Sequence, residues 1–301
     1  MLCRPGRQFC HAGRCAQHLR PRSFYNNSMP ELPDVEATCR YLRSERVVGR
    51  TLTGARIDWS PAIRGISVEE FVLGITGRRI RDVARRAKNI LVRLDGSGPT
   101  ATLAIHLRMT GALVIDAQSK PAPRHTRNAL LLDDKRAIHF IDPRKLGTLM
   151  LLDDESKITG RLGPEPLNAS FTPKVLGERL GKRRVPVKAL LCEQDLVAGI
   201  GNIFADEALW LARIHPLRQP ADLSKRDLVR LHQAIHESLT DALERIMPKM
   251  PVFSPPSESP EGLEELLVPR QAGQPCRRCG AKIKRLIIRG RSAYFCPKCQ
   301  R

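Results

Sequence analysis

Apolar residues alternate with polar ones over much of residues 51–152, and recur every third or fourth position on either side of that stretch. The first regular segment, 32–49, has a helical period. Glu31, Asp34 and Glu36 sit near its start, where the helix dipole favours anions, and Gly49 is placed to end it. Seven short β-type runs follow, at 80–83, 89–94, 100–107, 111–115, 128–132, 137–140 and 147–152. Asp95-Gly96 and Asp133-Asp134-Lys135 mark turns between them. Short strands at such close spacing predict a sandwich or barrel. Beyond Asp153 the period changes. Pro164 and Pro166 mark a linker, and helices are predicted over 172–180, 187–192, 202–212 and 223–247. The last carries Leu228, Leu231, Ile235, Leu239, Leu243 and Ile246 on one stripe. Residues 248–269 hold six prolines and three serines, which predicts a mobile loop.

The pattern therefore predicts an α+β chain. An extension (1–28) precedes an N-terminal sandwich or barrel of short strands with a leading helix (29–155). A helical domain (156–250), a Pro-rich loop (251–270) and a small C-terminal hairpin module (271–301) complete it. There is no internal repeat.

Charge changes the picture. The 301 residues carry a formal net charge of +20, and it is unevenly spread. The last 32 residues, from Arg270, hold ten Lys or Arg and no acid. Within them Cys276-x2-Cys279 and Cys296-x2-Cys299 lie 16 residues apart, a spacing that closes four thiolates around one tetrahedral Zn2+. Even after four thiolates are set against the metal, the module stays strongly positive and suits a polyanion, nucleic acid first. A zinc knob with merely solvated basic residues is the plainer alternative. No apolar run is long enough to span a bilayer, and no lipidation signature is present. The odd cysteine total and the metal-type spacing argue for a reducing compartment, and Cys39 and Cys192 fit buried apolar positions.

Residues 1–28 hold five Arg, no acid and no apolar core of the kind a secretory signal needs. A mitochondrial-type presequence fits that composition. A start of translation at Met29 is the simpler expectation.

That start matters to the segment Met29-Pro30-Glu31-Leu32-Pro33-Asp34-Val35-Glu36. Taken alone it reads as a helix N-terminus. If Met29 initiates and is removed, however, Pro30 presents a free secondary amine. An α-amino group titrates near pH 8, so much of it is unprotonated and nucleophilic at neutral pH. Its condensation with a sugar C1′ gives a charged iminium, and that electron sink acidifies the C2′ proton. The adjacent Glu31 carboxyl is placed to transfer protons.

With these residues in view, the chain resembles the formamidopyrimidine-DNA glycosylases. The resemblance rests on separated motifs in order: PELPDVE at 30–36, RRAKNILV at 85–92, HLRMTG at 106–111, DPRKLG at 142–147, LGPEPL at 162–167, LVAGIGNIFADE at 196–207 and the paired CxxC. It implies a β-sandwich for 29–155, a helix-two-turn-helix in the helical domain and a zinc finger after it, DNA in the cleft between the lobes, and glycosylase and AP-lyase activity toward oxidised purines. Zinc bound by Cys276, Cys279, Cys296 and Cys299 would be structural. By position, Pro30 matches the nucleophile and Glu31 the catalytic acid. Lys88 matches a phosphate-binding base on a β-turn; read alone it is one more solvated lysine. Met109, Arg144 and Leu146 match the residues that fill the hole left by an extruded nucleotide, with core packing the plain alternative for Met109 and Leu146. Asn202, in Gly199-Ile200-Gly201-Asn202, matches a phosphate ligand; the free N–H groups of the following helix would suit a phosphate, and Asn202 is also placed as its N-cap. Arg291 matches the arginine of the finger, with Arg289 its rival by proximity. Lys188 matches a position tied to lesion recognition.

Two departures stand out. Position 34 is Asp where the family usually has Glu, and 250–275 is hard to align with the loop that covers a flipped purine, which leaves damage preference open. An oxidised-pyrimidine glycosylase on the same scaffold is a second reading. A non-catalytic lesion binder is a third, should residues 1–29 persist. The sequence shows no obvious oligomerisation seam, which suggests a monomer. The resemblance further implies action on double-stranded DNA with a damaged base, in the cytoplasm and nucleoid of a bacterium, with organellar targeting by 1–28 the lesser expectation.

Overall fold

The computed structural model describes residues 29–96, 100–250 and 266–301. The expectations for 1–28, and for most of the Pro-rich loop, lie outside these residues.

The N-terminal lobe is a sandwich of two four-stranded antiparallel sheets. One has the order β1 (Leu52–Ile57), β6 (Thr126–Leu132), β7 (Arg136–Ile141), β5 (Ala112–Ala117). The other has β2 (Arg79–Arg86), β3 (Asn89–Asp95), β4 (Ala101–His106), β8 (Thr148–Leu152). Alternation sets the faces. Ile90, Val92 and Leu94 of β3 enter the central core with Leu103, Ile105, Ile138 and Phe140. Leu91 points the other way, where Ala104 and Leu152 cover it.

All seven anticipated strands are present. In this lobe strand β1 and helix α2 (Val68–Ile75) escaped the pattern. Strand β1 is broken by Gly54 at a register shift, which blurs its alternation. Helix α2 lies inside the stretch read as strands. Its signal was legible: Ser67 Oγ accepts the Glu70 N–H at 3.1 Å, and Glu70 accepts the Ser67 N–H at 2.8 Å.

Helix α1 (Leu32–Ser44) ends five residues before Gly49, because Arg46 takes a left-handed backbone (φ 55°) and starts a turn. It joins the lobes. Val35, Cys39 and Leu42 lie in the sandwich core, Leu32 in the core of the helical lobe, and Ala37 against Leu243 and Ile246. That lobe holds α3 (Ser156–Thr159), α4 (Pro173–Leu180), α5 (Val187–Leu191), α6 (Asn202–Leu211) and α7 (Lys225–Ile246). The stripe of α7 buries Leu231, Ile235, Leu239, Leu243 and Ile246, while Leu228 packs at its edge.

The C-terminal module is a hairpin of β9 (Lys284–Ile288) and β10 (Arg291–Phe295), closed by Arg289-Gly290, both at positive φ. It has a small core of Val268, Ile283, Cys276 and Cys296 against Trp210. The described end of the predicted loop is therefore packed: Glu207 accepts the Leu267 and Val268 N–H groups, each at 2.8 Å.

Candidate active site

The centre of the site is a carboxylate that serves a helix other than its own. Glu31 precedes α1, yet its side chain reaches the N-terminus of α6. It accepts the backbone N–H groups of Gly201 (2.7 Å), Ile203 (2.8 Å) and Phe204 (3.2 Å). Those donors have no partner within α6, and the helix dipole favours an anion there. The sequence placed a DNA phosphate at this helix end and made Asn202 its cap. The structure corrects the cap, which is Gly201, with Asn202 the first helical residue, and gives three of the N–H groups to Glu31. Asn202 is half-buried, and its Oδ1 has no partner among the described residues.

The two glycines of this loop serve close approach. A Cβ on Gly199, which has φ +85°, would lie 2.8 Å from Leu32, whose N–H donates to the Gly199 carbonyl at 3.0 Å. A Cβ on Gly201 would lie 2.5 Å from both the Glu31 carboxyl carbon and Lys88 Nζ. The absent side chain is what lets Lys88 and Glu31 share one buried spot.

Lys88 is buried rather than solvated. It occupies the two-residue turn Ala87-Lys88 between β2 and β3, with Ala87 at φ 53°. The inter-lobe linker holds that turn. Glu165, in LGPEPL, accepts the Ala87 N–H at 2.7 Å, pairs with Arg86 at 2.8 Å and with Arg85 at 2.6 Å. Arg86 also donates to the Leu162 and Gly163 carbonyls. Arg85 and Arg86 are thus a paired, half-buried clamp beneath the buried Lys88.

Asp34 completes the centre and accepts the Glu31 N–H at 2.8 Å. Burial pushes its carboxyl up to about 7; the hydrogen bond from the Glu31 N–H opposes the rise, the Glu31 charge adds to it, and Lys88 opposes it. His106, which the sequence reading passed over inside HLRMTG, is pushed down to about 4 by burial, Arg108 and Lys88. It is neutral at physiological pH, and its Nδ1 accepts the Arg108 N–H at 3.0 Å. Pro30 is buried at the mouth of α1, with its nitrogen bonded to Met29 in this chain.

Strand register places the remaining candidates at the same end of the sandwich. Asn89 pairs with His106, and His106 with Thr148. The Lys88 turn, the 107–111 connection and the 142–147 connection therefore lie side by side. Met109 is half-buried; Arg144 and Leu146 are exposed, Leu146 by 41%. Leu146 is not a core residue.

Lys188 is a correction. Its side chain is 1% exposed, it pairs with an equally buried Asp206, and its Nζ donates to the Ser292 carbonyl at 2.7 Å. It cannot touch DNA from that position. Asp206 also receives Arg270 at 3.0 Å and the Tyr294 N–H at 3.1 Å. This network docks the hairpin module on α6. Burial pushes the Lys188 ammonium down and the Asp206 carboxyl up, and each partner's charge opposes the other's shift. On the hairpin, Arg289 is held by Glu193 at 3.2 Å. Arg291 is exposed and forms no ion pair among the described residues, which separates it from its rival.

The four cysteine sulfurs lie within 4.8 Å of one another, with Cys279–Cys296 at 3.5 Å and Cys276–Cys299 at 3.9 Å. Tetrahedral zinc with Zn–S bonds of about 2.3 Å needs sulfurs roughly 3.8 Å apart. The donor set and spacing fit that ion.

Three family models match in order: the formamidopyrimidine-DNA glycosylase N-terminal domain at residues 29–149, its H2TH domain at 162–250, and the zinc finger found in FPG and IleRS at 273–301. The formamidopyrimidine-DNA glycosylase of Chloroflexus aurantiacus is 46% identical over 277 residues, covering 90% of this chain and 98% of that protein. The chain belongs to the formamidopyrimidine-DNA glycosylase family. The Herpetosiphon aurantiacus glycosylase agrees, at 39% identity over 90% of this chain and all of that one. Among solved structures, the Lactococcus lactis family member in complex with DNA containing an abasic site superposes with a TM-score of 0.79 at 31% identity, covering 90% of this chain and 99% of that one. The Thermus thermophilus member gives 0.74 at 36%, covering 90% and 98%. The chain is thus a DNA glycosylase and AP lyase of base-excision repair, with the sandwich, H2TH and zinc-finger architecture of its family. No described helix is long and apolar enough to cross a membrane.

Proposed function

We propose that this enzyme excises oxidised purines from double-stranded DNA through an amine at Pro30 and cleaves the strand on both sides of the sugar. The observation that carries the reading is the meeting of Glu31, Asp34 and Lys88 beside Pro30 at the junction of the lobes. The N-terminal family model begins at residue 29, which supports Met29 as the start and Pro30 as the mature terminus. The Pro30 nitrogen attacks C1′, the glycosidic bond breaks and the base departs with a proton. As the sugar ring opens, the nitrogen is left as an iminium. Loss of the C2′ proton expels the 3′ phosphate, and a second elimination expels the 5′ phosphate. Glu31, fixed by three backbone donors, is the proton-transfer group. Lys88 holds a phosphate of the lesion nucleotide, and Asn202 and Arg291 hold phosphates beside it.

Oxidised purines are the favoured class because solved relatives are bound to DNA containing Fapy-dG or a carbocyclic 8-oxo-G. Met109, Arg144 and Leu146 fill the void left in the duplex, a role their shared position and the exposure of Arg144 and Leu146 support. Zinc on Cys276, Cys279, Cys296 and Cys299 is structural, since four thiolates leave no open coordination position.

A second reading holds only if residues 1–29 are retained: Pro30 is then amide-linked and cannot attack, and the protein recognises lesions without cutting them. Borohydride trapping on 8-oxoguanine duplexes separates the two. A covalent adduct from protein with a verified Pro30 terminus, lost in Glu31→Gln, supports the enzyme reaction. No adduct from that protein overturns it.

A further inference from the structure

We propose that Asp142 and Thr110 are positioning residues that lock two separate turns into one rigid wedge, so that Met109, Arg144 and Leu146 enter a duplex together. The inference rests on the void-filling role proposed above and concerns how that role is built.

The two turns come from different connections. Residues 107–111 carry the chain from β4 to β5, and 142–147 carry it from β7 to β8. Each passes from one sheet of the sandwich to the other at the same end. Nothing in the ladders joins them at their tips. Asp142 does. It is 1% exposed, and among the described residues its side-chain bonds go to these two turns. Its Oδ2 accepts the N–H groups of Leu146 (2.6 Å) and Gly147 (2.7 Å). Its Oδ1 accepts the Arg144 N–H at 3.2 Å and the hydroxyl of buried Thr110. The Thr110 oxygen in turn accepts the Arg144 N–H at 3.3 Å. One side chain therefore fixes the backbone on both sides of the Arg144–Leu146 tip and ties it to the residue after Met109.

The surroundings add to the hold. Lys145, between the two tip residues, has a left-handed backbone at φ 59°, which a residue with a Cβ adopts only under constraint. Its ammonium stacks 4.2 Å over the Trp59 ring. Arg127 donates to the Asp142 carbonyl at 2.7 Å and to the Pro143 carbonyl at 3.2 Å. A wedge driven into stacked bases is pushed back by them, so a yielding turn would spend the binding energy on its own deformation. A turn pinned from beneath at four donors delivers it to the stack. None of these bonds involves Glu31, Asp34 or Lys88, so extrusion and chemistry are separable.

The test is Thr110→Val, which keeps the side-chain shape and removes the bridge, with Asp142→Asn as the stronger second variant. Both are assayed as protein with a verified Pro30 terminus. Borohydride trapping on a single-stranded abasic oligonucleotide, where no stack is opened, should stay at the wild-type rate. On an 8-oxoguanine duplex with 2-aminopurine beside the lesion, the fluorescence rise that reports extrusion should slow roughly 10- to 100-fold. In a Leu146→Ala background Thr110→Val should add little, because the wedge it steadies is gone. Equal losses on both substrates, wild-type extrusion by Thr110→Val, or additive effects with Leu146→Ala would overturn the clamp. A wild-type protein that traps neither substrate would instead overturn the proposed chemistry, and the clamp's purpose with it.

Discussion

Glu31 and Asp142 do the same physical work in opposite ways. Each is a buried carboxylate that gathers three backbone N–H groups. Asp142 finds its donors two to five residues away, inside its own turn. Glu31 finds them 170 to 173 residues away, on a helix of the other lobe. The first arrangement shapes a loop locally and leaves its tip in solvent. The second can exist only when both lobes are docked, so the site assembles with the tertiary fold. A local clamp suits a tool that must enter DNA, and a long-range one suits chemistry that must stay dry.

Glu31→Gln attacks the long-range arrangement most directly. The amide turns one oxygen into a donor facing donors, and it cannot exchange the proton. Strand cleavage on a preformed abasic site should fall about 10²- to 10⁴-fold, read as single-turnover lyase rates. Unchanged rates would put proton transfer elsewhere.

Asp206 offers a second long-range carboxylate, joined to Lys188, Arg270 and the Tyr294 N–H. Lys188→Met leaves that charge short of one partner in the interior, and should cost about 3–5 kcal/mol in urea unfolding. DNA affinity should fall through misplacement of the finger rather than loss of a contact, so the salt dependence of binding keeps its slope. A slope reduced by one charge would return Lys188 to the DNA surface.

Removal of zinc by a chelator tests the finger itself. Trp210 donates from Nε1 to Cys276 Sγ at 3.4 Å, and Arg278 stacks 3.8 Å over its ring. Chelation should shift Trp210 emission and weaken DNA binding about tenfold or more, whereas Trp59, in the sandwich, should report no change. Trp59→Phe protein isolates the signal.

The most gradual effect concerns pH. Asp34 is raised from an ordinary 3.8 to about 7 by burial. Below about pH 4 it is protonated in both folded and unfolded chains, and its contribution is fully present. Between about pH 4 and 7 only the folded state keeps the proton, so stability falls as pH rises and levels off above 7. Glu207, also pushed up to about 7 by burial, acts in the same direction. Asp34→Asn should remove its share of that decline, on the order of 1–4 kcal/mol in urea midpoints between pH 4 and 7. An unaltered slope would mean that the carboxyl titrates as an exposed one.

Legibility followed the range of the interactions. The strands of the sandwich, the stripe on α7 and the paired CxxC are periodic or local, and all three were readable. The Ser67–Glu70 capping box is equally local, but the β pattern on either side masks it. The Lys188 contact is hidden for a different reason. A lysine in a short helix carries no mark that Asp206, 18 residues on, and Ser292, 104 residues on, will enclose it. Glu165 gave no hint that it would pin the Lys88 turn from 78 residues away.

By itself the order of residues determined the repeat that builds two sheets, the stripe that buries α7, the metal-binding spacing and the positive charge of the finger. Each depends on neighbours within a few turns or one hairpin, where geometry is nearly dictated by chemistry. Only the tertiary structure decided that Glu31 would hold α6, that Gly201 would yield its space to Lys88, and that Lys188 would face inward. Those outcomes are set by how two lobes pack, and packing is a sum over distant surfaces that no local stretch of chain contains.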